Sequence, residues 1–251
     1  MMLTENFFDL RDAIENQYRD VRWVEESGLP LGELEREIYT LCDTMEREGA
    51  SREITKARMF ELTLDKAQLA VEPKEYFQDH INHGFFLQHV RGAWQKEVLS
   101  TACGEVFARN AEMAQDQVMH GACDFGHTVP DWYDVLGLGL PGLLHRVEKI
   151  HAEKAGTLSR EQEDFYTACE IVYRAAIRYV KRLAALCEQT AKGVCAADAD
   201  RLTLCAEVLY GIADHAPQTT HEALQLTYIF HILQEEIEGE RLRSLGGLDR
   251  E

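Results

Sequence analysis

Between Arg160 and Cys187 the apolar residues return every three or four positions. Phe165, Cys169, Val172, Tyr173, Ala176, Val180, Leu183 and Cys187 fall on one stripe. That period is helical and excludes a strand. Ser159 with Gln162 reads as a capping box at its start, and Gly193 as its stop. Arg174, Arg178, Lys181 and Arg182 mark the solvated side.

A second helix is expected from about Thr220 to Gly239. Pro217 precedes it, and Thr219 with Glu222 forms another capping box. Its middle, Ala223 to Leu233, is apolar on nearly every side, which calls for burial all round. Further helices are expected near Leu31–Arg47, Ser51–Ala70, Pro73–Asn82, Phe85–Gln117, Gly142–Glu153 and Asp200–Asp214. Strand signals are scarce. No repeat, low-complexity tract or linker stands out, and the best internal break is the loop Gly121–Pro130.

The chain has 251 residues, enough to bury a sizeable core as one large domain or two small ones. Its 26 Lys and Arg against 44 Asp and Glu give a net charge of −18, which argues against nucleic acid as a partner. No long apolar run calls for a membrane, and the N-terminus lacks the basic start and apolar core of a signal peptide. The seven cysteines (Cys42, Cys103, Cys123, Cys169, Cys187, Cys195 and Cys205) are odd in number and form no Cys-x-x-Cys pair. They read as reduced thiols of a cytoplasmic protein.

Several residues could carry chemistry. His127 follows Gly126 and precedes the Pro130 turn, so it sits on a loop. It could hydrogen-bond a substrate hydroxyl or relay a proton, or it could bond backbone and cap the next helix. Asp131, after Pro130, reads as the N-cap of a following short helix. Asp124 and Asp134 are further carboxylates that spacing does not single out. His80, His83 and His89 lie close together, but no Cys pair or Glu-x-x-His completes a zinc set. A His-rich helix end is expected there, and no metal site. His215, His221 and His231 read as structural. Cys123 lies four residues before His127, with no orienting partner evident for a nucleophile. Gly137, Gly139 and Gly142 spell Gly-x-Gly-x-x-Gly without the preceding strand that a dinucleotide site needs, so a Gly-rich turn is expected.

Two stretches carry a family resemblance. Gly126 to Leu140 reads Gly-His-Thr-Val-Pro-Asp-Trp-Tyr-Asp-Val-Leu-Gly-Leu-Gly-Leu. Pro217 to Asp249 holds Glu222-Ala223-Leu224-Gln225 and ends in Ser244-Leu245-Gly246-Gly247-Leu248-Asp249. In this order they resemble the N-terminal portion of the glycyl radical enzymes, the pyruvate formate-lyase-like family, and within it the dehydratase and lyase branch. The resemblance covers about Gln88 to Asp249.

It implies a fold that is mainly α: the helical N-terminal portion of an α/β barrel enzyme, with few or no complete barrel strands. Residues 1–120 would form a helical N-terminal region. Residues 121–251 would form the helical start of the pyruvate formate-lyase-like domain, truncated before the radical loops. In such enzymes a glycine near the C-terminus holds a radical, installed by a radical S-adenosylmethionine activating enzyme. It passes the radical to a cysteine at the barrel centre, which abstracts hydrogen from a small-molecule substrate so that water, an amine or another group leaves. That chemistry is anaerobic.

Neither the cysteine loop nor an Arg-Val-x-Gly-Tyr-like glycyl motif occurs in this sequence. The expectation is therefore a fragment with no catalytic residue and no bound cofactor of its own, silent alone, its glycyl radical supplied by a C-terminal part. The resemblance also implies that His127 lines the substrate pocket. Ser244 matches a substrate-touching Ser of a Ser-x-Gly-Arg-x-Asp-Gln stretch, although Gly247 replaces the Arg and Arg250 stands where Gln is common. The alternative is a stand-alone helical binding or scaffold protein derived from that family, and pairing with a second copy is a further partner to expect.

Overall fold

The structure is a computed structural model, and it describes residues 24–25, 28–82, 104–106, 108–115 and 129–234. Its axis is the helix with the long apolar stripe, Arg160–Ala191. In chain order, strand β1 (Val24–Glu25) is followed by helices α1 (Leu31–Arg47) and α2 (Arg52–Lys66), then strands β2 (Gln68–Val71) and β3 (His80–Asn82). Helices α3 (Trp132–Glu153), α4 (Arg160–Ala191), α5 (Ala196–Asp214) and α6 (Thr220–Ile232) follow. Residues 104–106 and 108–115 are also helical. The three strands make an open antiparallel sheet in the order β1-β2-β3, with Val24 opposite Val71 and Leu69 opposite Ile81. The protein is mainly α, and the described residues form no closed barrel.

The helix ends follow local chemistry. Ser159 and Gln162 cap α4 reciprocally, and Thr219 and Glu222 do the same for α6. Ser51 caps α2 by accepting from the Ile54 amide. Along the stripe Cys169, Val172 and Tyr173 are half-buried, and from Ala175 onward Ala175, Tyr179, Val180, Leu183, Ala184 and Cys187 have no more than 2 % exposure. Only Phe165, at the stripe's first turn, faces solvent. Helices α2, α3 and α5 and strand β2 all pack on α4. One hydrophobic core runs from Leu34 and Ile38 of α1 through Leu69 and Val71 to Leu226 and Leu233.

Several expectations are corrected. The α2 helix stops at Lys66, because Leu69 and Val71 alternate inward in a strand. Residues 73–82 are a turn followed by β3, not a helix, so His80 lies on a strand while His83 falls outside the described residues. The turn wins because the Gln78 side chain replaces the helical ladder: it accepts from the Glu72 amide at 3.0 Å and donates to the carbonyls of Glu72 and Glu75 at 2.8 and 3.1 Å. The solvated side of α4 is partly an interface. Arg182 donates to the carbonyls of Leu64 and Ala67 at the end of α2, and Arg178 bonds Glu61 and Asp65.

The 72–79 turn is clasped by later helices. Gln225 of α6 is fully buried; its Oε1 accepts from the Gln78 amide at 3.0 Å and its Nε2 donates to the Gln78 carbonyl at 2.9 Å. His221 Nε2 donates to the Tyr76 carbonyl and Arg201 to that of Pro73. The α3 helix starts at Trp132, ten residues before the predicted Gly142, and is broken at Gly139, with Pro141 just after. Gly139 has φ 63° and ψ 177°, a conformation essentially reserved for glycine. A Cβ there would stand 2.8 Å from the Ala216 Cα.

Two outcomes test these contacts. Gly139→Ala should destabilise by at least about 1–3 kcal/mol in urea unfolding. Gly137→Ala, two positions earlier in open space, should be neutral or slightly stabilising. Equal effects would show that the kink is not required. Gln225→Leu should lower the unfolding free energy by roughly 1–3 kcal/mol for each of the two Gln78 backbone groups left unpaired; an unchanged midpoint would show the clasp to be dispensable.

Candidate functional site

The predicted site residues His127 and Ser244 lie outside the described residues, as do Asp124, Cys103, Cys123, His89 and Asp249. The structure does place the elements from which their segments emerge. Asp131 caps α3 as expected, its carboxylate accepting from the Asp134 amide at 3.4 Å. Trp132 and Val135, one turn apart on one face, are buried. The Trp132 ring meets Phe230 of α6 edge-on, with centroids 5.9 Å apart. The start of α3 and the end of α6 therefore share one corner of the bundle.

The kink at Gly139 sets the direction of the first half of α3, and the Arg146–Asp134 ion pair, 2.5 Å, ties that half to the second. Tyr133, Asp134, Leu136, Gly137 and Leu138 line an open depression of about 440 Å³ on this half, and Tyr133 is 74 % exposed.

The glycine triad is no phosphate cradle. It lies inside a broken helix, and Gly139 is buried against the backbone of His215 and Ala216. His80 bonds Glu75 at 2.9 Å, with Asp79 at 3.5 Å. Among the described residues no group of three or more His, Cys, Asp or Glu side chains could hold a metal ion. His215 bonds the Ala216 carbonyl, beside the Gly139 kink.

The described cysteines are free thiols. Burial pushes Cys205 up to about 11, and the same cause raises Cys42, Cys169 and Cys187. Such thiols are poor nucleophiles, which fits Cys as a small core residue.

Sequence reasoning passed over one polar centre, His151. Its Nδ1 is 2.7 Å from Glu170 and its Nε2 is 2.9 Å from Glu163. The available signal was weak: Glu163 and Glu170, two turns apart, share a face of α4, and nothing in the sequence brings His151 to them.

Among the described residues no helix is long and apolar enough to cross a membrane. The family model described as pyruvate formate lyase-like matches residues 48–250. Curated proteins give no sequence match. Three solved structures share the fold. A glycyl radical enzyme from Archaeoglobus fulgidus is 19 % identical at TM-score 0.57, covering 81 % of this chain and 32 % of its own. The glycerol-bound B12-independent glycerol dehydratase from Clostridium butyricum is 17 % identical at TM-score 0.57, covering 83 % and 34 %. A Roseburia inulinivorans structure concerned with 1,2-propanediol dehydration is 18 % identical at TM-score 0.55, covering 83 % and 33 %. The chain thus spans about a third of the length of the solved structures it matches. With the family model matching most of its length, including both stretches that carry the resemblance, the chain belongs to the pyruvate formate lyase-like family.

Proposed function

We propose that these residues form the N-terminal helical part of a glycyl radical enzyme that eliminates a group from a small polar substrate by dehydration or C–N, C–S or C–C cleavage. The observation that carries this reading is the family match over residues 48–250, which spans both the Gly126–His127 pair and the Ser244 segment. Two of the fold neighbours are concerned with the dehydration of small diols or triols, which favours hydroxylated substrates. In this reading His127 donates to or accepts from a substrate hydroxyl, and Ser244 touches the same substrate. The radical glycine and its cysteine relay are contributed by residues outside these 251, and a radical S-adenosylmethionine enzyme installs the radical.

A second reading has one observation in its favour. A single core joins residues of α1 to those of α6, as a self-supporting helical binding or scaffold protein requires. Against a fully enclosed α6 stand Leu224 and Tyr228, 41 % and 46 % exposed on one side. The helix predicted to be buried all round has an open face, which suits further protein packed on it.

Incubated anaerobically with an activating enzyme and S-adenosylmethionine, this chain should give no glycyl doublet by electron paramagnetic resonance, and a doublet would overturn the division of labour proposed. His127→Ala, placed in a polypeptide that carries these residues together with the radical glycine, should lower kcat/KM about tenfold to hundredfold, from roughly 1–3 kcal/mol of lost hydrogen bonding. Radical yield and soluble expression should stay normal. Lost expression with normal turnover in the surviving protein would instead make His127 a capping residue.

A further inference from the structure

The end of α3 holds a titratable group in a geometry that only one of its protonation states satisfies. His151, on the last turn of α3, has a side chain 17 % exposed, and each ring nitrogen meets a different carboxylate of α4: Glu170 at 2.7 Å and Glu163 at 2.9 Å. A neutral imidazole has one N–H, so its second nitrogen would set a lone pair against a carboxylate oxygen. Only the imidazolium donates to both. The surroundings fix the ring. Tyr166 stacks on it at 5.4 Å, and Lys154 donates to the Tyr166 hydroxyl at 3.1 Å. Arg174 bonds Glu170 at 2.9 Å and Glu148 of α3 at 2.6 Å. Glu53 of α2 and Glu161 of α4 face Lys154 and Tyr166 across an open cleft of about 590 Å³, whose wall includes Thr157 and Leu158 of the turn.

We propose that His151 is a proton-operated latch. When protonated, it ties the end of α3 to two turns of α4; on losing its proton it keeps Glu170, gives up Glu163 and loosens the 154–158 turn that walls the cleft. Glu163 is the partner released, because its side chain is 52 % exposed whereas Glu170 is 16 % exposed and anchored by Arg174.

The sign of the pH dependence follows from the partners. The hydrogen bond to Glu170 raises the His151 pKa; partial burial opposes this, and the bond and charge of Glu163 add to it. A raised group stabilises fully below its unfolded value of about 6.5 and loses that contribution as pH climbs through its folded value. Burial acts to raise Glu170, but the bonds from His151 and Arg174 outweigh it and the net direction is down. Its contribution is present above its unfolded value and is lost only as pH falls through the lowered one. The latch is therefore shut through the mildly acidic range and opens on the alkaline side of the His151 titration.

The test uses the full 251-residue chain. Nuclear magnetic resonance follows the His151 ring proton from about pH 5 to about pH 9, alongside amide exchange of residues 154–158. The expected result is a midpoint above about 6.5. Exchange in the turn should accelerate about two- to fivefold more than in α5 as that midpoint is passed, as loss of a partly exposed ion pair allows. His151→Gln should abolish that extra acceleration, and Glu163→Gln, a surface change that leaves the fold intact, should lower the midpoint. A midpoint at or below the ordinary value, an identical turn profile in His151→Gln, or an unmoved midpoint in Glu163→Gln would each overturn the latch.

Discussion

The burial of α4 on three sides is the constraint from which the rest of the structure follows. Its inward line alternates bulk with small residues: Tyr179, Val180 and Leu183 fill space, while Ala175, Ala176 and Ala184 let neighbouring helices approach. Burying a large aliphatic side chain contributes about 1.5–3 kcal/mol, so this one helix supplies a large part of the apolar driving force. Tyr179 shows the cost of burying a polar tip and its remedy. It is fully buried, its hydroxyl donates to the Asp79 carbonyl at 3.3 Å, and burial drives its pKa upward.

The same helix orients its neighbours through charge. Arg178 and Arg182 fasten the end of α2, and Arg174 reaches across to Glu148 of α3. These pairs are partly exposed, and each is worth little as a stability term. Their effect is directional: they set which turn of each neighbour lies against which turn of α4. A chain of net charge −18 has few cations to distribute, and on α4 the arginines at 174, 178 and 182 all face another element.

The start of α3 and the whole of α6 are fixed by contacts between distant parts of the chain. The Gly139 break turns the first half of α3, Trp132 pins it to Phe230, and Gln225 fixes α6 to the turn between β2 and β3. A residue on a loop is only as well placed as the elements that hold its ends. Here the start of α3 and the end of α6 belong to one packed core and meet at the Trp132–Phe230 contact. The exposed side of α6, with Leu224 and Tyr228, lies on the helix that carries Phe230 toward this corner.

The sequence by itself determined what depends on local periodicity and capping. The α4 stripe, both capping boxes, the Asp131 cap and the bounds of α1 were legible, because each rests on residues within a few positions of one another. The family was legible for a related reason: the Gly-His and Pro-Asp-Trp-Tyr residues stand together in one short stretch. Only the tertiary structure decided the rest. Strands of two to four residues are too short to show a period, and β2 is a strand because Leu69 and Val71 find the core. The turn at 72–79 is held by a glutamine 147 residues away, and His151 meets its carboxylates 12 and 19 residues later on another helix. Contacts across such separations leave no trace in local spacing, because the chain pays their closure entropy only once the helices between them have packed.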